Sequence, residues 1–360
     1  MGQLSIEGGQ TSADILSDFA TQGYSEVPHH IPRELIEELI DSYTVFTNTY
    51  PDPETSLFRD MIAEQLPRNP DGTYKKVLSK EESDAINLDA LVRERDQTGT
   101  WHKYRSNYPE YAKPAGYTSR SLAVTALREV GIEYVDDPKE YYHFHPNSLV
   151  RMKREHAIHG WGPLPQELES LSQVFLRVQH IAKLAILQTL SALEEYDPRL
   201  VGQFGPDDFR SSPMRLLFYH DETRIPQCML ANGQSLALGD MFGGEHTDKG
   251  ELTVQIAESH TGFRARNPHD PDATLRVIKR TPDRSIVFPS RGMDLAINGV
   301  DPNINEQPRD IRQLWHDIVH TGEQNIGRFV PEQAPAKRWA LIYFLTKVGS
   351  KVATKAQTNR

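Results

Sequence analysis

The sequence predicts a mainly β fold with helical additions, and two observations support this. After Pro198, about eight short β-rich runs are separated by turn residues. Before it, residues 164–195 carry one long apolar stripe with helical period. Short strands at this density are typical of a jelly roll or a barrel. We therefore expect a β core of that kind with helices beside it.

The part of the chain before the strands is predicted to be helical and rich in loops. The segment GYSEVPHHIPRELIEELIDSYTVF indicates a short strand and then an amphipathic helix, which Pro32 opens. Residues from about 60 to 150 are polar, Tyr-rich and interrupted by Pro, which predicts long connections of the type that often cover a site. The helix over 164–195 is expected to form a structural wall behind the core.

The strand region sets the predicted domain organisation. The runs predicted as strands are MRLLFYH, ELTVQIAES, GFRAR, LRVIKR, SIVFPS, DLAING, QLWHDIVH and RWALIYFLTKV. No internal repeat divides the chain, so a single domain over residues 1–360 is favoured. Within it we expect a helical and loop-rich region over 1–205, a strand-rich core over 206–349 that would hold the functional site, and a polar tail over 350–360.

Composition argues against several classes of function. A formal net charge of −10 is the wrong balance for a protein that neutralises phosphates, so no nucleic-acid partner is expected. No apolar run approaches the roughly 20 residues that span a bilayer. The single cysteine, Cys228, allows neither an internal disulfide nor a cysteine-based zinc cage, and the start of the chain lacks a secretion signal. These features favour a cytoplasmic protein without a membrane partner.

Histidine and acidic residues offer a candidate metal site. The chain has 14 His and 50 acidic residues, so about two His-x-acid pairs are expected by chance. The pair at 220–222 ends a strand beside a turn, whereas His246 and Asp248 lie between a Gly-rich stretch and an apolar strand. Residues i and i+2 of an extended chain project to the same side. With His320 they would give the two imidazoles and one carboxylate of a non-haem Fe(II) site; His316, four residues earlier, is a candidate for lining the pocket.

Several motifs carry a resemblance to a known family. HTDKGELTV resembles the HTDxGxLT motif of the isopenicillin N synthase-like branch of the Fe(II)/2-oxoglutarate-dependent dioxygenases, and DIVH followed by RWALIYF resembles its distal His and Arg-x-Ser strand. Upstream, MRLLFYH is similar to MRLNYYP, KEYYHF to the KE segment, AGY to the Gly-Tyr turn and GYSEVPHHIPRELIEELI to the GFFxxxNHGIPxELI opening. The resemblance spans nearly the whole chain. It implies a double-stranded β-helix (jelly-roll) core flanked by N-terminal and central helices.

The resemblance also implies an activity. His246, Asp248 and His320 would bind the catalytic iron, while Arg338 and Tyr219 would hold the distal carboxylate of 2-oxoglutarate. The planar guanidinium of arginine suits that bidentate contact. The implied enzyme is an oxidoreductase that uses O2 and couples decarboxylation of 2-oxoglutarate, to succinate and CO2, to hydroxylation, desaturation or cyclisation of a small molecule. A specialised metabolite or an amino-acid derivative is the expected substrate class, and the oligomeric state stays open.

The sequence also departs from the family pattern. Ala340 replaces the Ser of Arg-x-Ser, while Leu217 and Phe218 replace the Asn and the first Tyr of NYY. The interval between His320 and Arg338 is longer than in the family pattern, which predicts an inserted loop over 321–337. Arg328 in this loop is an alternative to Arg338 as the anion-binding arginine. Two alternatives stay open: an iron oxidase of the same fold that does not use 2-oxoglutarate, which Ala340 permits, and a non-catalytic jelly-roll binding protein.

Overall fold

The structure is a computed structural model of the chain. It describes residues 10–49, 67–73, 82, 116–119, 139–219, 241–270, 272–281, 283–299, 310–319 and 338–347. The expected tail over 350–360, the inserted loop over 321–337, His320, Arg328 and most of the polar region over 60–150 lie outside these residues.

Helices and antiparallel strands are mixed along the described chain. The helices are α1 (Ser12–Gln22), α2 (Arg33–Thr49), α3 (Ser148–His159), α4 (Gln166–Tyr196), α5 (Pro206–Ser211) and α6 (Arg291–Asn298). The strands are β1 (Ser25–Pro28), β2 (Gly116–Ser119), β3 (Lys139–Phe144), β4 (Met214–Tyr219), β5 (Met241–His246), β6 (Leu252–Glu258), β7 (Phe263–Arg266), β8 (Arg276–Val277), β9 (Arg284–Pro289), β10 (Trp315–Val319) and β11 (Arg338–Leu345).

The strands form two antiparallel sheets. Seven strands lie in the order β1-β9-β6-β11-β4-β3-β2, and four lie in the order β5-β10-β7-β8. From β4 to β11 the chain passes from one sheet to the other after almost every strand, and only β7 and β8 are consecutive in one sheet. Strands that are distant in sequence therefore become neighbours, as β5 and β10 do.

The side chains of β11 alternate between two buried faces of the seven-stranded sheet. Trp339, Leu341, Tyr343 and Leu345 belong to a large core cluster shared with the helices. Because successive side chains of a strand point to opposite faces, Arg338, Ala340 and Ile342 lie on the other face. Ile342 there packs against a second cluster drawn from both sheets: Tyr141, Leu217, Tyr219, Phe263, Ala265, Ile278, Ile286, Phe288, Leu314 and Ile318. This second cluster fills the space between the sheets.

The helices predicted from periodicity are confirmed. The stretch predicted over 164–195 is helix α4, whose apolar stripe is buried against the large core cluster. The predicted strand and amphipathic helix near the N-terminus are β1 and α2. Among the described helices, none combines the length and the apolar character that crossing a membrane requires.

Two of the predicted strands need correction. DLAING, predicted as a strand, lies in helix α6 and the glycine that ends it. Met293 and Ile297, four residues apart, bury one face of that helix, and Gly299 ends it with a positive φ of 75°. LRVIKR contributes only the two residues of β8. Short apolar runs do not distinguish helix from strand by pattern alone, which explains the wrong prediction.

A buried carboxylate beside β6 predicts a pH-dependent stability. Glu251 is buried, and its Oε2 accepts a hydrogen bond of 2.8 Å from the Lys347 backbone N–H. Desolvation and, to a smaller extent, the charge of Asp208 raise the pKa of Glu251 from its ordinary 4.5 to about 7, although Lys347 opposes the shift. The folded state therefore binds more protons than the unfolded state between these values. The free energy of unfolding contributed by Glu251 falls as the pH rises through this window.

We expect Glu251→Gln to remove this fall. As the pH rises from 5 to 8, the free energy of unfolding of the variant should increase by about 2 kcal/mol relative to that of the parent. Urea denaturation at a series of pH values measures the difference between the two curves. Asp207→Asn, which changes an exposed carboxylate, is the control and should follow the parent. A Glu251→Gln curve parallel to the parent would contradict the prediction.

Candidate metal centre

Strand pairing brings two imidazoles together. His246 ends β5 and lies directly opposite His316 of β10 in the antiparallel register. Side chains of directly opposed residues have Cβ atoms about 5 Å apart. The two ring centroids accordingly lie 4.4 Å apart. This contact depends on the register between two strands that have four other strands, β6 to β9, between them in the sequence.

Asp248 joins the two histidines from the turn between β5 and β6. Its Oδ1 lies 3.8 Å from His246 Nε2, and its Oδ2 lies 3.9 Å from His316 Nε2. The ligand atoms of the three residues all lie within 4.8 Å of one another. Thr253 Oγ1 donates a hydrogen bond of 2.7 Å to Asp248 Oδ2, and the Asp248 backbone carbonyl accepts one of 3.0 Å from the Arg291 backbone N–H. Thr253 thus holds the carboxylate, and the first residue of α6 holds the backbone of Asp248.

The turn after Asp248 depends on glycine. A Cβ atom at Gly250 would lie 2.6 Å from the backbone oxygen of Leu345, closer than any side chain tolerates. A Cβ atom at Gly292, in α6, would lie 2.9 Å from the backbone oxygen of Gly250. The turn therefore packs tightly between the end of β11 and α6, which fixes where Asp248 points.

The environment of His316 keeps its ring neutral and oriented. Burial lowers the pKa of His316, and this effect outweighs the nearby Asp248 carboxylate, which raises it. Phe263 and Phe288 pack on the ring, with centroids 5.2 and 5.1 Å away. Nδ1 lies 3.4 Å from the Leu314 carbonyl. A proton on Nδ1 would leave the Nε2 lone pair facing the other two ligands, the form that binds a metal.

The three side chains suit an iron ion that keeps open positions. Two imidazoles and one carboxylate are the donor set of non-haem Fe(II) oxygenases. Ligands about 2.1 Å from a shared ion and at right angles to each other lie about 3 Å apart. The distances between the ligand atoms, which are at most 4.8 Å, would therefore shorten by at most about 2 Å on metal binding. The His246 side chain is 51% exposed, whereas His316 is buried. The group is therefore accessible to solvent on the His246 side.

A buried arginine lies on the inner face of the same core. Arg338 begins β11 opposite Tyr219 of β4, and its guanidinium carbon lies 4.9 Å from the centroid of the Tyr219 ring. Its Nη2 donates to Glu258, while Nε and Nη1 have no hydrogen-bond partner among the described residues. Buried donors without a partner are costly. Arg338 therefore fits a ligand that brings an anionic group.

The structure describes four of the five site residues predicted from the sequence. His246 and Asp248 lie together, and Arg338 and Tyr219 are neighbours in register. His320 lies outside the described residues, and His316 completes the described group instead. The sequence does offer His316 on the same strand side as His320, but its pairing with His246 is visible only in the sheet.

Other residues at these places were not singled out by the sequence. Thr253 belongs to the HTDKGELT motif, and its position inside that motif is the signal that identifies it as a partner of Asp248. Glu258 ends an apolar strand, and nothing in the sequence shows that it meets Arg338. Ala340, which replaces the family serine, is buried directly opposite both Leu217 and Glu258.

Comparison with solved structures shows that the chain shares its fold with a protein solved in complex with alpha-KG and with a protein named a putative oxygenase. A full-length Neurospora crassa protein in complex with alpha-KG and 5-formyluracil is 16% identical, with a TM-score of 0.51 over 93% of this chain and 78% of that one. The complex of the same Neurospora crassa protein with alpha-KG and thymine is 16% identical, with a TM-score of 0.50 over 93% and 79%. A Shewanella oneidensis protein named a "putative oxygenase" is 15% identical, with a TM-score of 0.50 over 93% and 86%. No family model and no curated protein matches the sequence.

Proposed function

We propose that the chain is a non-haem Fe(II)- and 2-oxoglutarate-dependent oxygenase that acts on a small molecule. The observation that carries this proposal is the group of His246, Asp248 and His316. Its donor set is the one such enzymes use, and the fold is one in which they occur. Hydroxylation, desaturation and cyclisation are the reaction types that this chemistry allows.

We further propose that the two sheets enclose a double-stranded β-helix core. The inner part of the seven-stranded sheet has the order β9-β6-β11-β4, and the other sheet has the order β5-β10-β7-β8. The chain alternates between these two sets of strands, which is the winding of a jelly roll. The metal group and Arg338 both belong to strands or turns of these eight.

The chain's own side chains have distinct roles in this proposal. His246, Asp248 and His316 would hold Fe(II), which with 2-oxoglutarate supplies the activation of O2 and releases succinate and CO2. The phenylalanines that pack on His316 keep its ring in one orientation and exclude water from that side. Arg338 would receive the distal carboxylate of 2-oxoglutarate through its unpartnered donors, above the face of Tyr219.

Turnover of 2-oxoglutarate tests the proposal directly. We expect the protein, loaded anaerobically with Fe(II), to give the weak charge-transfer band of a 2-oxoglutarate chelate and then to form succinate when O2 is admitted. Thymine and 5-formyluracil, which are bound in the Neurospora crassa structures, head the panel of substrates, followed by amino-acid derivatives. Oxygen uptake without 2-oxoglutarate would favour the iron oxidase instead. Absence of iron binding would contradict both hypotheses and favour a binding protein.

Thr253 is expected to orient the carboxylate of the metal group. Its hydroxyl donates its proton to Asp248, so the contact of 2.8 Å with Ser290 requires Ser290 to donate to Thr253. Hydrogen-bond partners of metal ligands typically contribute a factor of about 10 to 100 in metal affinity. We therefore expect Thr253→Val to weaken Fe(II) binding by about tenfold or more, as measured by anaerobic titration.

Thr253→Ser is the matched control because it keeps the hydroxyl. We expect its Fe(II) affinity to stay within about threefold of the parent value. Equal affinities for the parent and Thr253→Val would show that the hydroxyl does not orient Asp248.

A further inference from the structure

Three charged side chains are buried together between β6, β11 and the segment that precedes β9. The side chains of Arg280, Glu258 and Arg338 are 2%, 0% and 3% exposed. We call them the charge triad. Two of its members are cations and one is an anion, so it carries a net charge of +1 in a place from which water is excluded.

Arg280 is held rigidly within the charge triad. Its Nη1 and Nη2 donate to the backbone carbonyls of Ile256 and Gln255, at 2.9 and 2.6 Å. Its Nε lies 3.5 Å from Glu258 Oε1. Arg280 is therefore hydrogen-bonded to the backbone of β6, and its Nε faces Oε1 of Glu258.

Glu258 bridges the two arginines. Its Oε2 accepts hydrogen bonds from Arg338 Nη2 and, at 3.2 Å, from Gln255 Nε2. One carboxylate thus serves two guanidinium groups. Nε and Nη1 of Arg338 have no hydrogen-bond partner among the described residues.

Two further titratable groups act near Arg280, and both differ from the buried carboxylate of Glu258. Burial, and secondarily the charge of Arg280, lowers the pKa of His29 to about 4, so His29 is neutral near pH 7. Glu26 also acts on Arg280, but its carboxylate accepts from Thr281 at the exposed edge of the sheet. Buried donors without a partner are costly. Nε and Nη1 of Arg338 therefore favour the approach of one further anionic group.

We propose that Arg280 is a positioning residue for the co-substrate. Arg280 and Arg338 share the single carboxylate of Glu258, so Arg338 keeps enough positive charge to bind one carboxylate of the co-substrate. This inference rests on the proposed function. Without Arg280, the carboxylate of Glu258 would neutralise Arg338 alone. The charge triad then selects a ligand whose distal end is a single carboxylate, as in a 2-oxo dicarboxylic acid.

Charge-balanced variants test this account. The Kd of 2-oxoglutarate is measured by anaerobic calorimetry on the Fe(II)-loaded protein and again with Mn(II), which prevents turnover. We expect Arg280→Met, which lowers the net charge of the triad to zero, to weaken binding by about tenfold or more. Adding Glu258→Gln to Arg280→Met restores +1, and we expect the double variant to bind within about threefold of the parent.

A structural arginine outside the sheets serves as control. Arg199 pairs with the buried Asp197 after α4, so Arg199→Met should lower the unfolding temperature without changing the Kd. Should Arg280→Met fail to fold, Arg280→Lys replaces it. Lysine keeps the charge, so binding within about threefold of the parent is expected, and a tenfold loss would contradict the charge account.

The outcomes separate this inference from the proposed function. Unchanged binding in Arg280→Met, or a double variant no tighter than Arg280→Met, would overturn the role of Arg280 alone. A parent protein that binds Fe(II) but not 2-oxoglutarate would overturn the proposed function and this inference together.

Discussion

Replacing His316 with alanine is expected to abolish tight Fe(II) binding, whereas His320→Ala should keep it. His316 lies opposite His246 in the strand register, and its Nε2 lies 3.9 Å from Asp248. Removing one of three protein ligands should exceed the factor of about 100 that is lost with a partner outside the ligand set. Anaerobic titration of Fe(II) into each variant measures the effect.

The paired variants decide between two assignments of the third ligand. The family resemblance implies His320, and the described structure groups His316 with the other two ligands. Loss of iron in His320→Ala with retention in His316→Ala would make His320 the ligand and contradict the geometry proposed above. Thermal unfolding of both metal-free variants is the control, because His316 is also buried between Phe263 and Phe288.

The candidate site shows which parts of a structure a sequence can predict. His246 ends β5 and Asp248 follows it by two residues in the turn, so local spacing is sufficient to pair them. The third ligand depends on the register of β10 against β5, which contains irregularities between His316 and Val319. Alternation places His316 and His320 on the same side of an extended strand and cannot choose between them. The pairing of β10 with β5, which are distant in the sequence, is what places His316 opposite His246.

The same limit applies to the fold and to the buried charges. Helix α4 was predictable because its apolar stripe repeats over many turns. Helix α6 was not predictable in the same way. The apolar residues among its eight positions fit the two-residue period of a strand as well as the period of a helix. The charge triad joins residues from β6, β11 and the segment before β9. Its members become neighbours only when the sheet is assembled, so no spacing in the sequence indicates it.

Arg338→Met is expected to weaken 2-oxoglutarate binding by at least about 100-fold. Truncating one partner of a buried, hydrogen-bonded charge pair costs roughly 2–5 kcal/mol, most of it from the charge left without a partner. In this variant Glu258 would pair with Arg280 alone, so the charge triad would be neutral and the donors of Arg338 would be gone. Fe(II) affinity should stay within about threefold, because Arg338 is not a metal ligand in the proposed site.

Two further variants test whether the effect is specific to Arg338 as the residue that binds the distal carboxylate of 2-oxoglutarate. Arg284→Met, which removes a guanidinium that donates to the backbone of Glu26 in β1, should leave 2-oxoglutarate binding unchanged. Arg338→Lys should bind more weakly than the parent but more tightly than Arg338→Met, because lysine keeps the charge and loses the planar pair of donors. Unchanged binding in Arg338→Met would move the anchor to another arginine, and Arg328 is the candidate that the sequence offers. The calorimetric Kd of 2-oxoglutarate in these variants therefore separates loss of the anchoring charge from loss of one arginine elsewhere in the sheet.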